Sequence, residues 1–264
     1  MKIAIIGAGN IGGAIARGLS QGSIFQPSDI ICTAHEQKFL DRLHEENPEL
    51  QLTLNNKEAV QQAEVILLAV KPWLVESVIQ DIKPVLDYSR QIIISVAAGV
   101  TIQELFGYLR KNDKYVAPTI FRAMPNTGIS VRSSMTFLCA SSATQEQTDL
   151  ILSIFSELGN AMLIEERFMN AGMALASCGI AYAMRYIRAS IEGGVEMGFY
   201  PQQAQEIVLH TVKGAVDLLM AHGTNPEEEI DKVTTPGGVT IKGLNEMELA
   251  GFTSAVIRGL KKGI

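Results

Sequence analysis

Lys2-Ile3-Ala4-Ile5-Ile6-Gly7-Ala8-Gly9-Asn10-Ile11-Gly12, followed at once by the helically spaced Gly13 to Leu19, decides the fold. An apolar run of strand length that breaks into Gly-x-Gly-x-x-Gly and then into helical spacing is the first β-α unit of a dinucleotide-binding sheet. Gly7 makes the tight turn, Gly9 lets a pyrophosphate approach the backbone, and Gly12 lets the helix sit close on the strand. The free N–H groups and the positive dipole end of that helix then meet the phosphates. Its place directly after an apolar strand favours this reading over an ordinary strand-to-helix turn.

Strand and helix signals alternate through the first 160 or so residues, the pattern of a doubly wound parallel sheet covered on both faces. Strands are expected at Ile3 to Ile6, Ile30 to Thr33, Val65 to Val70, Ile92 to Val96, Lys114 to Ala117 with a continuation to Arg122, and Met135 to Cys139. Helices are expected at Asn10 to Ser20, Gln37 to Glu46, Lys57 to Ala63, Trp73 to Leu86, Ile102 to Lys111 and Gln145 to Leu158. Ligands of such sheets bind beyond the carboxyl ends of the strands. That directs attention to Ala69-Val70-Lys71-Pro72, to Ser95-Val96-Ala97-Ala98-Gly99-Val100 and to Met124-Pro125-Asn126-Thr127-Gly128.

A chain of 264 residues has room for two domains. The expected division is a dinucleotide-binding domain over 1–162 and a helical substrate-binding and dimerisation domain over 163–264. With 22 Lys plus Arg against 28 Asp plus Glu, the net charge of −6 argues against a nucleic-acid surface. Met1 to Gly22 lacks a signal-peptide pattern, so a cytoplasmic protein is expected. Cys32, Cys139 and Cys178 are far apart in apolar surroundings and read as small core residues, with neither a disulfide framework nor a metal site. Phe168 to Met184 carries no charge, but Asn170, Gly172, Ser177 and Gly179 interrupt it, and Arg167 and Arg185 bracket it too closely for a membrane span. A helix buried on nearly all sides is expected there.

After Glu165 strand signals vanish. Met169 to Glu192 and Pro201 to His222 read as helices, the latter with Ala204, Val208, Val212, Ala215, Val216 and Leu219 on one face. A last helix over Thr240 to Lys262 is expected to bury Leu244, Met247, Phe252, Ala255, Val256 and Leu260. So small a helical unit has a limited core, which favours pairing with a second subunit. Ahead of the last helix stands Thr234-Thr235-Pro236-Gly237-Gly238-Val239-Thr240, in which Thr240 suits the N-cap. One reading of this run is a rigid helix lead-in. The other is that the amides of Gly238, Val239 and Thr240 converge on a small carboxylate while a Thr hydroxyl points at the reacting group.

With these pieces assembled, the chain resembles the Δ1-pyrroline-5-carboxylate reductases nearly end to end. The resemblance rests on Ile6 to Gly12, Asn55-Asn56-Lys57-Glu58, Leu68 to Pro72, Ser95 to Thr101, Met124 to Thr127 and Thr235-Pro236-Gly237-Gly238-Val239-Thr240. It implies an NADPH- or NADH-dependent reductase that makes proline from its cyclic imine precursor. It also implies an N-terminal Rossmann domain and a C-terminal helical domain that dimerises by interleaving helices, with larger rings of dimers in many members. Carried over, Gly7, Ala8, Gly9, Asn10, Ile11, Gly12, Asn56, Val70, Lys71 and Ala97 contact the cofactor, within turns that also hold Ala69 and Pro72. Gly238, Val239 and Thr240 hold the substrate, and Thr240 is the catalytic residue, making a hydrogen bond to the ring nitrogen. A protonated C=N carbon is already electrophilic, so no catalytic His, Cys or carboxylate is required.

Cofactor choice turns on the end of the second strand, where an acidic residue would accept the ribose 2′-hydroxyl. Here Cys32-Thr33-Ala34-His35 offers none before Glu36. Thr33 and His35 are placed to face a 2′-phosphate with Lys38 one turn away, so NADPH is favoured over NADH. Three positions depart from the family pattern: Ile180 and Gly128 stand where Pro is usual, and Val239 where Thr or Ala is usual. Two other functions compete with the reductase. A β-hydroxyacid dehydrogenase would use a Lys of the second domain, where Lys213 is the sole Lys between Glu165 and Lys232 but lacks the associated motif. A non-catalytic metabolite sensor would keep the cofactor fold with an altered pocket.

Overall fold

The computed structural model describes residues 1–111 and 118–264. Its N-terminal part is an eight-stranded sheet in the order β3-β2-β1-β4-β5-β6-β7-β8. These strands are β1 (Ile3–Ile6), β2 (Ile30–Thr33), β3 (Gln51–Thr53), β4 (Val65–Leu68), β5 (Ile92–Ser95), β6 (Thr119–Met124), β7 (Ser134–Ser141) and β8 (Gly159–Leu163). The helices between them are α1 (Asn10–Leu19), α2 (Gln37–Glu46), α3 (Asn56–Gln62), α4 (Val75–Ile82), α5 (Ile102–Leu109) and α6 (Gln145–Ser156). The expected strand segment Lys114 to Ala117 lies outside the described residues, and its continuation is β6.

Successive side chains of a strand point to opposite faces, and β1 divides accordingly. Ile3 and Ile5 join one buried cluster with Ile15, Leu19 and Phe155, while Ala4 and Ile6 join a second with Val60, Ile79 and Leu105. Both faces of β1 are therefore dry, which is why its sequence is continuously apolar rather than alternating.

Strands β1 to β6 pair in parallel, but β7 runs antiparallel to β6. A parallel return needs about a dozen residues or more. Here Met124 and Ser134 are joined by a short 3₁₀ turn, Thr127–Val131, so the chain reverses direction. Two short strands, β3 and β8, join the sheet without an apolar run to announce them. The expected helix Trp73 to Leu86 is split into the turn Pro72–Leu74, α4, and the turn Lys83–Val85, each turn opening around a proline.

The chain divides into compact units Met1–Ser177 and Cys178–Ile264. Residues 166–177 pack on the sheet: Met169 of α7 (Met169–Gly172) is buried, and a Cβ at Gly172 would lie 2.7 Å from the Phe137 ring. A π turn, Met173–Cys178, follows. The uncharged run from Phe168 to Met184 is thus buried only in its first half, since Tyr182 and Met184 are exposed.

The second unit comprises α8 (Gly179–Glu196), α9 (Pro201–His222), α10 (Pro226–Lys232), α11 (Val239–Leu249) and α12 (Phe252–Lys262). Helices α8 and α9 pack where Gly194 meets Ala204, whose Cβ would be 3.0 Å from one added at Gly194. The expected last helix is two helices, because Gly251 at φ +84° enters the left-handed region and interrupts the ladder. Of its expected core residues none is fully buried, and Met247, Phe252 and Val256 are exposed. Ala204 is the sole buried apolar side chain among the described residues of this unit. No described helix is long and apolar enough to cross a membrane.

Candidate functional site

The β1–α1 turn is built by its three glycines in three different ways. Gly7 sits at φ +101°, and a Cβ there would meet Val70 at 2.8 Å. A Cβ at Gly12 would lie 2.2 Å from the Gly7 carbonyl oxygen, so only hydrogen lets α1 close on the turn. Gly9 has open space where a side chain would be. It is also the N-cap of α1, has no side-chain cap, and precedes a first turn without acidic residues. Unbonded amides thus face an unobstructed approach, an arrangement suited to a pyrophosphate.

This turn forms one wall of a cleft of about 510 Å³ along the carboxyl ends of the strands. The cleft brings together most of the expected cofactor residues: Gly7, Ala8, Gly9, Asn10 and Ile11 after β1, and His35 after β2. Ala69, Val70, Lys71 and Pro72 follow β4, and Ala97 follows β5. Gly12 serves it from behind. Thr33 does not face it, contrary to expectation. Its side chain is fully buried and donates to Asn56 Oδ1 at 2.7 Å, while its carbonyl accepts the N–H groups of Gly7 and Ala8 at 3.0 and 2.7 Å. Thr33 and Asn56 therefore brace the glycine turn instead of lining the cleft.

The cleft also includes residues that the sequence reading did not assign to it, among them Ala34, Phe39, Leu74, Val96 and Ala98. Phe39 lies one helical turn beyond Glu36, a spacing that could have revealed it. At the β2 end, the Glu36 carboxylate pairs with Lys38 at 2.6 Å, and the Lys38 ammonium sits 5.2 Å from the Phe39 ring centroid.

A second cavity of about 220 Å³ shares Ile11, Val96, Ala97 and Ala98 with the cleft and extends to Arg122, Met124, Met169 and Ser177. The Met124-Pro125-Asn126-Thr127 turn is tied to the π turn beside it, through Asn126 to the Ala176 carbonyl and Ser177 to the Pro125 carbonyl, each at 3.4 Å. Gly128 is required here. Its N–H donates to Asn126 Oδ1 at 2.9 Å, and a Cβ would lie 2.6 Å from the Ser133 carbonyl, so a proline at this position would lose a bond and collide.

In the second unit, Gly237 at φ +73° turns the chain and Gly238 is the N-cap of α11. The Gly238 N–H donates to the Thr235 carbonyl at 2.9 Å. Thr240 is consequently the second residue of the helix and not its cap. Val239 and Thr240 are exposed, and no acidic side chain occupies that first turn. Ile180 stands inside α8, which continues directly from the π turn.

The cysteines are free: Cys32 and Cys139 are buried and Cys178 half-buried. Burial pushes the Cys32 thiol up to about 12 and that of Cys139 to about 11, so neither is a thiolate near neutral pH. Among the described residues no three His, Cys, Asp or Glu side chains are placed to hold a metal ion.

The doubly wound sheet and the glycine turn at the end of its first strand define a Rossmann-fold oxidoreductase. Residues 2–99 match the family model described as NADP oxidoreductase coenzyme F420-dependent, and residues 166–264 match that for pyrroline-5-carboxylate reductase dimerisation. The chain belongs to the pyrroline-5-carboxylate reductase family. It is 37% identical to pyrroline-5-carboxylate reductase 1 of Dictyostelium discoideum over 98% of its own length, although it spans only 48% of that relative. Against pyrroline-5-carboxylate reductase 2 of the same organism it is 36% identical, with 98% of this chain and 89% of that one covered. The crystal structure of Plasmodium falciparum pyrroline carboxylate reductase with NADP bound superposes with a TM-score of 0.87 at 26% identity, covering all of this chain and 95% of the other.

Proposed function

We propose that this protein reduces 1-pyrroline-5-carboxylate to L-proline, the last step of proline biosynthesis, in the cytoplasm. The observation that carries the reading is a pair of helix starts. One is the open glycine turn at Gly9, and the other is the Gly238-capped start of α11, whose exposed first turn carries Thr240. Both belong to a chain matched nearly end to end by named reductases.

Residues 1–162 hold the dinucleotide and residues 163–264 the substrate. Gly7 to Gly12 orient the pyrophosphate, while Val70, Lys71 and Ala97 line the cleft beyond it. A nicotinamide held in that cleft would supply a hydride for the carbon of the C=N bond. The first-turn amides after Gly238 fix the substrate carboxylate, as a helix N-terminus favours an anion. The Thr240 hydroxyl oxygen accepts a hydrogen bond from the protonated ring nitrogen and so holds the proton there, which keeps the adjacent carbon electron-poor. Positioning and one hydrogen bond thus account for the chemistry without a titrating side chain.

NADPH is the preferred cofactor. The support is that His35 lines the cleft after β2, within reach of a 2′-phosphate bound there, while Glu36, the group that would select a free ribose hydroxyl, is engaged by Lys38. The functional unit is a homodimer. Met220, Leu218, Ile257 and Leu249 are exposed on helices with almost no core of their own, and such surface needs a second copy to cover it. Nothing favours the hydroxyacid reading, since Lys213 pairs with Asp217 on an exposed face of α9.

Oxidation of NADPH by purified protein on addition of 1-pyrroline-5-carboxylate, with proline as product, tests the reading. Tight dinucleotide binding without turnover would instead identify a sensor.

A further inference from the structure

One side chain with no part in the chemistry above stands where three segments meet. Glu166 Oε1 accepts from the Arg122 guanidinium at 2.6 Å and from the Ile102 N–H at 2.8 Å. Arg122 is near the end of β6 and 8% exposed, Ile102 opens α5 just after the Ala97-Ala98-Gly99 loop, and Glu166 begins the segment that carries Met169 and Met173. Those three segments supply walls of the 220 Å³ cavity, and Arg122 is the only charged residue lining it among the described residues.

The cavity adjoins the dinucleotide cleft at Ile11 and Val96 to Ala98. The ribose-selecting group lies at the other end, after β2, so the cavity lies at the nicotinamide end of the crevice. Hydride departure leaves that ring with a positive charge, and a protonated imine carries one as well. An unpaired guanidinium in a half-closed cavity would oppose both, and an adjacent carboxylate cancels that field.

We propose that Glu166 is a positioning residue: by binding Arg122 and the Ile102 amide together, it fixes the nicotinamide-end cavity and neutralises its only charge, so that the site tolerates the oxidised cofactor. This rests on the reductase reading for the substrate but not for the cofactor. The affinity ratio of the two cofactor forms tests it without turnover. Trp73, the single tryptophan of the chain, is exposed between the cleft residues Pro72 and Leu74, and quenching of its emission reports binding.

The ratio Kd(NADP⁺)/Kd(NADPH) is expected to rise about fivefold in Glu166→Gln, which keeps the shape and removes the charge. In Arg122→Met, where the carboxylate is left alone, the ratio is expected to fall. The double variant, with neither charge, should return to within about twofold of the parent. Should Glu166→Gln not fold, the fall in Arg122→Met and its reversal in the double variant still decide the matter. A tie that is merely structural would weaken both cofactor forms equally, and a ratio unchanged in either folded single variant overturns the proposal. If the parent protein fails to reduce the imine, the reductase reading falls, while the ratio still judges Glu166.

Discussion

Gly12 faces the Gly7 carbonyl oxygen so closely that one added methyl carbon would sit 2.2 Å from it, whereas the same carbon at Gly9 would touch nothing within 4 Å. The two glycines of one motif therefore have separable jobs. Gly12→Ala should destabilise the N-terminal unit by about 1–3 kcal/mol, the usual range for overpacking. Gly9→Ala should leave the melting temperature unchanged yet weaken dinucleotide binding by about tenfold or more, by obstructing the approach to the α1 amides. Thermal melts and cofactor titrations of both variants check the division.

Thr240 is exposed and does not cap its helix. Thr240→Ala should therefore fold normally while losing on the order of 100-fold in kcat/KM for the imine, as for loss of a positioned proton-holding group. Thr240→Ser should recover most of it. An alanine variant as active as the parent in steady-state assays would remove Thr240 from the mechanism.

The Glu36–Lys38 pair is exposed just after β2, where Glu36 lines the cleft. In Glu36→Gln the Lys38 ammonium is released from its partner, and the kcat/KM ratio for NADPH over NADH should rise on the order of threefold, because exposed pairs are screened and weak. The rise should shrink at high salt.

Glu229 is held down to about 2, chiefly by its hydrogen bond to Lys232 at 2.7 Å and then by those from Thr224 and His222. The usual carboxylate value is 4.5. A folded-state value below the unfolded one stabilises fully above the unfolded pKa, and the contribution is lost as pH falls from 4.5 towards 2. Melting curves of the parent and Glu229→Gln should differ at neutral pH and converge across that window.

Strands β1 and β2 are legible residue for residue because each is a buried apolar run closed by a turn. Strands β3 and β8 escape such a reading because they are part-exposed edge strands without such a run. The cleft residues after β1 and β4 were readable from turn chemistry, since ligand sites of this sheet lie at strand ends. Thr33 was misplaced for the opposite reason. Every residue of β2 is buried, so alternation says nothing about which way its hydroxyl points. Helical spacing carried through Gly251, so one helix was expected where a left-handed glycine makes two. The same periodicity cannot distinguish a face covered by its own chain from one left for another copy.

The scarcity of buried side chains between Cys178 and Ile264 couples the helical unit to mass action. A unit that acquires its interior only on association has a melting point that climbs with total chain concentration, whereas the sheet, dry on both faces of β1, should melt at one temperature whatever the dilution. At nanomolar amounts the helical unit would unravel first, leaving the sheet folded alone.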